Sequence, residues 1–267
     1  MNKKVLTLST LVLLSFGSGF LMSKTSYAES SAYLANGTVE FDGEYKQVVV
    51  DPENPDQTVD PGTSPKTDGN LRIDFVPQLH FGSNKISTED KIYPVNGQLF
   101  HGDTEARGNF IQVSDFRPNA AGWTLQVRQE TQFKNNDTLF NELDGAMLSF
   151  DKSWVNTTGD LNKAPEVSKE IIRIDNIGET YQLAKANNDH GKGTWSIIFG
   201  ASDSNPSGKK STLKPKVDSQ GNPVLDPNFE NKQIVENSAV TLSIPGVTKI
   251  DPVSYKTVLT WILAELP

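Results

Sequence analysis

The sequence contains no cysteine. Disulfide frameworks, thiolate metal sites and thiol nucleophiles are therefore excluded, and stability has to rest on a hydrophobic core. Histidine is scarce: His80, His101 and His190 lie far apart and form no H-E-x-x-H pair, which argues against a zinc hydrolase. No G-x-S-x-G elbow is present. Gly191-Lys-Gly193 and Gly208-Lys-Lys210 lack the register of a phosphate loop. Asp203-x-Asn205-x-Ser207-Gly208 begins like a calcium loop but places Lys214 where a bidentate Glu belongs. Carboxylate pairs for glycoside cleavage depend on separation in space, which a sequence does not give. The abundant acids read more simply as a solvated surface. The expectation is a chain with no catalytic residues, no metal and no cofactor.

Basic charge is in short supply too, with 25 Lys+Arg against 33 Asp+Glu and a formal charge of −8. A nucleic-acid partner would need a basic stripe, and here the overall field repels phosphate. Long apolar runs are confined to the start. Met1-Asn-Lys-Lys4 is a basic n-region, Val5 to Met22 is mostly apolar, and Ser26-Tyr-Ala28 supplies small residues for cleavage. Residues 1–28 read as a secretory signal peptide, the alternative being an uncleaved anchor. Its removal takes away Lys3, Lys4 and Lys24 and no acid, leaving 22 basic and 33 acidic residues and a charge of −11. Beyond it no run approaches the ~18–20 residues that span a bilayer. A secreted chain is expected. An anionic surface would have to be held by specific short-range contacts or bridging cations.

What is present is β-like. A short segment at 29–50 suggests a hairpin of Thr38–Phe41 with Gln47–Val50 around Asp42-Gly43. Residues 51–70 are rich in Asp, Pro and Gly and read as an extended, solvated spacer. From Leu71, short runs of period two recur between turn residues: 71–76, 123–128, 146–150, 170–174, 181–183, 193–200 and 239–246. No stretch of a dozen residues carries a clear helical stripe. The predicted fold is all-β over 71–267, sandwich-like or an irregular barrel, with 201–237 a long loop inserted between two core strands.

Two of these runs share a grammar. In Gly122-Trp-Thr-Leu-Gln-Val127, Trp123, Leu125 and Val127 fall on one strand face. In Tyr255-Lys-Thr-Val-Leu-Thr-Trp-Ile-Leu-Ala-Glu-Leu-Pro267, β-branched Thr257, Val258, Thr260 and Ile262 favour a strand over a helix, with Leu259, Trp261 and Leu263 together. The two strands are expected side by side with their indoles in one packed unit. Trp195 reads as core, and Trp154, beside Asn156-Thr-Thr-Gly159, as a loop residue.

The paired Trp-x-Leu motifs, with Leu71-Arg-Ile-Asp-Phe-Val-Pro-Gln-Leu-His-Phe-Gly82 and the Ser243-Ile-Pro-Gly246 turn, resemble the WxL domain. The resemblance covers essentially the whole chain after the signal. It implies an exported surface protein of a Gram-positive bacterium, held noncovalently to the cell wall with peptidoglycan or another wall polymer as ligand. It also implies a surface complex with a membrane-anchored WxL-interacting protein and other WxL proteins. A subunit that chiefly binds that partner, or an adhesin for external polysaccharide, are the alternatives. Trp123, Leu125, Trp261 and Leu263 are the candidate ligand-binding residues. Two roles are open to them: stacking on sugar faces, or serving as core that fixes the terminal strand.

Overall fold

The computed structural model describes residues 47–119 and 121–267, all within one of two compact units, that from Tyr45 to Pro267. Strands β1 (Val49–Val50), β2 (Thr58–Val59), β3 (Leu71–Phe75), β4 (Lys91–Asn96), β5 (Asn109–Asp115) and β6 (Trp123–Gln129) come first. They are followed by β7 (Met147–Phe150), β8 (Ser153–Asn156), β9 (Glu166–Val167), β10 (Ile172–Ile174), β11 (Thr180–Ala186) and β12 (Gly193–Phe199). The chain finishes with β13 (Leu213–Pro215), β14 (Leu225–Asp226), β15 (Lys232–Gln233), β16 (Val235–Ile244) and β17 (Leu259–Glu265). Among the described residues the helical elements are two 3-10 turns, at Leu161–Lys163 and Pro227–Phe229. None is long and apolar enough to cross a membrane.

Three antiparallel sheets build the body. One runs β17-β6-β11-β9 and another β3-β5-β12-β8. In the third, β16 pairs with β4 on one side and with β7 and β13 on the other, and β10 extends it beyond β7. None of the three closes into a barrel, and the class is all-β as expected. The main core collects the inner faces of all three, including Ile73, Val113, Leu125, Leu148, Trp195 and Leu242. A second core cluster lies against the other face of β5 and β12, where Phe75, Phe100, Phe110, Trp154 and Ile198 meet.

That second cluster corrects two expectations. Trp154 is not in a loop. It sits in β8, 7% exposed, and its indole N–H donates to the Gly200 carbonyl at 2.7 Å. A four-residue strand running into Asn156-Thr-Thr-Gly159 is too short to show a period. The first part of the Asp/Pro stretch is not solvated either. Asp51 and Glu53 are fully buried, and Val59 of β2 joins the second cluster. Composition misled here because the acids are held by Arg107, far away in sequence. Residues 63–70 are largely exposed. In the expected N-terminal hairpin, Thr38–Phe41 lies outside the described residues, and Val49–Val50 pairs with Thr58–Val59. The signal peptide likewise lies outside them.

Residues 201–237, expected as a loop, carry structure, and the last three already belong to β16. β13 adds to β16, and β14 and β15 form a small hairpin around the 3-10 turn. Lys232 secures it by donating to the carbonyls of Phe100 (2.7 Å), Gly102 and Thr104 (3.1 Å).

Candidate functional site

The two Trp-x-Leu strands are direct neighbours. β17 pairs antiparallel with β6, with Leu263 opposite Leu125, Trp261 opposite Val127, and Glu265 opposite Trp123. The shared face is the one read from the sequence: along β6, Trp123, Leu125 and Val127 are buried and Thr124, Gln126 and Arg128 are half-exposed. The expected indole unit does not form. Antiparallel register centres the two motifs on the Leu125–Leu263 pair and leaves the Trp residues four positions apart, about 13 Å along the strand. Trp261 instead meets Phe150 edge-on, with centroids 6.2 Å apart and planes at 79°.

Side-chain bonds hold the final strand in place from both ends. Glu265 forms an ion pair at 2.5 Å with Arg117, which is itself clamped by buried Asp115 at 2.8 Å. Thr257 donates to the Thr131 carbonyl at 2.6 Å, and the Tyr255 hydroxyl donates to the Phe140 carbonyl at 2.7 Å. Thr260 bonds Glu130 at 2.5 Å. That bond, with the Arg128 guanidinium, lowers the Glu130 carboxyl below its ordinary range.

Trp123 and Leu125 are both 0% exposed and offer no surface to a ligand. The Trp123 indole N–H donates to the Gly191 carbonyl at 3.1 Å. Gly191 has φ +72°, and a Cβ there would lie 2.6 Å from Trp123 Nε1 and 2.5 Å from Ala186 Cβ. Gly191→Ala is accordingly expected to cost about 2 kcal/mol, from overpacking and left-handed strain together. A lower urea midpoint with unchanged slope would show it.

Trp261 and Leu263 are only partly buried. Trp261 forms part of the wall of a groove of about 1130 Å³. Its lining includes Tyr255, Leu259 and Trp261, the segment residues Leu79, Phe81 and Ile86, and Tyr93 of β4 with Leu242 of β16. Phe81 is braced edge-on against Phe133 at 6.1 Å. Trp261 also borders a smaller cleft of about 390 Å³, together with Leu71, Ile73 and Leu263. Of the four sequence-predicted residues, therefore, Trp261 and Leu263 reach cavities, and Trp123 and Leu125 are enclosed in the main core.

Sequence reasoning did not find Tyr93 or Phe133 as lining residues. β4 is interrupted by Pro94 and Phe133 lies outside any strand, so neither carries a period-two signal. The segment 71–82 did carry a signal, as part of the resemblance, and its Leu79 and Phe81 line the groove.

The all-β domain thus carries an aromatic-lined groove beside a pinned terminal strand. Comparison with known families gives it a place: the model for the WxL domain, described as surface cell wall-binding, matches residues 28–267. The chain belongs to the WxL family. No curated protein and no solved structure matches it. Membership makes this a surface protein of the cell-wall-binding kind, in a family defined by binding and not by catalysis.

Proposed function

We propose that the protein is exported and attaches noncovalently to peptidoglycan, with the groove beside Trp261 as the contact surface and no catalytic role. The observation that carries this is convergence. Two segments that carry the resemblance, 71–82 and 255–267, both line this groove, and the third, 122–127, pairs with β17 as the strand beside it. Glycan strands present apolar C–H faces flanked by amides, and the groove matches that with Trp261, Tyr255 and Phe81 among Gln78, Asn84 and Asn228. Co-sedimentation with purified Gram-positive walls tests it. Trp261→Ala should weaken binding about thirtyfold, the loss of a ~2 kcal/mol aromatic anchor, while the far-ultraviolet circular dichroism stays that of the native β fold. Wild-type sedimentation of that variant would overturn the assignment.

A second reading is favoured by one feature, the position of β17 at the end of its sheet, with β6 its one strand partner among the described residues. Such an edge can accept a strand from another protein. A membrane-anchored WxL-interacting protein, within a surface complex, is the partner this reading takes. If crosslinking on intact cells shows surface retention vanishing with that partner, protein contact dominates over wall contact.

A further inference from the structure

We infer that the groove recognises the carboxylates of the wall's peptide stems, and so selects a carboxylate-bearing glycan over a neutral one. This rests on the reading that the groove is the wall-contact surface. The observation is a local reversal of charge. The chain as a whole has 33 acids against 25 bases, yet the groove is bordered by Lys66, Lys85 and Lys256 with Asp226 as the one carboxylate. All three lysines are exposed, and among the described residues none enters an ion pair. Asp226 is already engaged: its carboxylate accepts from the Asn228 N–H at 2.9 Å and caps the 3-10 turn. The smaller cleft on the far side of Trp261 adds Asp68.

Three lysines drawn from three separate segments around a largely apolar lining suit a ligand that carries more than one negative charge. Lysine is a compact point charge on a flexible stem, able to reach a carboxylate that hangs from a repeating backbone. Lysine binds carboxylate and phosphate alike as a point charge, so the choice of carboxylate rests on the amides in the lining, which suit a peptide stem. The lining also holds the amides of Gln78, Asn84 and Asn228; Asn84 Nδ2 already donates to the Phe81 carbonyl at 2.8 Å, which leaves its oxygen to accept from a peptide backbone. The net repulsion of an acidic protein from an anionic wall is thereby offset at direct contact, which is closer than the ~8–10 Å screening length.

The test uses the full chain and purified sacculi in three forms: native, acid-extracted to remove phosphate polymers, and extracted then amidated at their carboxylates. Wild-type protein should bind the first two alike and lose about tenfold on the third, as expected for three exposed charge contacts acting together. The combined Lys66→Gln, Lys85→Gln, Lys256→Gln variant should bind native sacculi about tenfold more weakly and be indifferent to amidation. If amidation leaves wild-type binding unchanged while Trp261→Ala still weakens it, the groove stands as the wall site and carboxylate selection is wrong. Loss of binding on phosphate extraction would replace carboxylate by phosphate as the recognised group. If Trp261→Ala and the lysine variant both bind like wild type, the groove reading falls with it.

Discussion

Trp123→Ala is expected to lower stability by about 3–5 kcal/mol, the range for removing a large aromatic from a packed core. In a chain of this size that corresponds to a fall of roughly 10 °C in thermal midpoint. The side chain is 0% exposed, lies in the main core with Leu125 and Ala186, and donates its indole N–H to Gly191. Truncation opens a cavity and strands a buried carbonyl acceptor, and Gly191 cannot fill the space without moving its whole turn. Wall binding should be lost in proportion to unfolding and not beyond it. Urea denaturation read beside co-sedimentation separates the two tryptophans. Trp123→Ala should bind walls normally in whatever fraction remains folded, whereas Trp261→Ala should be folded and bind about thirtyfold more weakly. A Trp123→Ala protein of native stability that fails to bind walls would mean that Trp123 contacts the ligand, against its burial.

The difference between these two residues was only half legible in the sequence. Alternation along 123–129 gave the strand and its inner face, because β6 is an inner strand of a sheet with one face on the core and one half-exposed. β-Branched residues settled the strand character of 259–265, although burial along that strand does not alternate. What alternation cannot report is position across the sheet. β6 lies between β17 and β11, so Trp123 is covered from both sides, while β17 is at the edge and Trp261 keeps a face in the groove. The pairing register, which sets the indoles four positions apart, is likewise a relation between segments more than a hundred residues distant.

β5 shows the converse failure. Its residues, Asn-Phe-Ile-Gln-Val-Ser-Asp, mix polar and apolar types without a usable period, yet every one is buried. The strand has core on both faces, Ile111 and Val113 in the main cluster and Phe110 in the second. Its polar residues are satisfied there: Gln112 donates to the Val48 carbonyl at 2.8 Å and to Asp74 at 3.0 Å, and Ser114 donates to Asp74 at 2.5 Å. Buried polar groups with distant partners look like surface in a linear reading. The groove was hidden by a related limit. Its walls come from separate segments around residues 79–86, 93, 133, 242 and 255–261, and only the first and last carried family signatures.

The same limit concealed Arg107, whose replacement by Ala is expected to cost about 3–5 kcal/mol at neutral pH. Its guanidinium grips Asp51 through Nε at 3.0 Å and Nη2 at 2.9 Å, and Nε lies 3.5 Å from Glu53. Glu53 is held from the other side by the Ser202 N–H at 2.7 Å and by the Ser202 hydroxyl. Two carboxylates thus share one cation away from water, tying the segment around β1 and β2 to the body. Burial pushes Asp51 upward, but the Arg107 bonds, its charge and the Glu53 N–H outweigh this and hold the carboxyl below its ordinary range. For Glu53 burial prevails over the Ser202 bonds and Arg107, and its carboxyl is raised. The signs then oppose in the wild type: Asp51 contributes stability that is lost as pH falls through its lowered value, while the cost of ionised Glu53 is relieved as pH falls through its raised one. Without Arg107 both carboxyls are governed by burial and by each other, so both rise, and both costs are relieved on acidification. The stability deficit of Arg107→Ala should therefore shrink between pH 7 and pH 5, measured by urea denaturation of variant and wild type in parallel. Replacing Asp51 by Asn in the same background should recover part of the neutral-pH loss, since one of the two unpaired buried charges is gone. A deficit that stays constant or widens at pH 5 would show that Arg107 acts through packing of its stem and not by balancing the two acids.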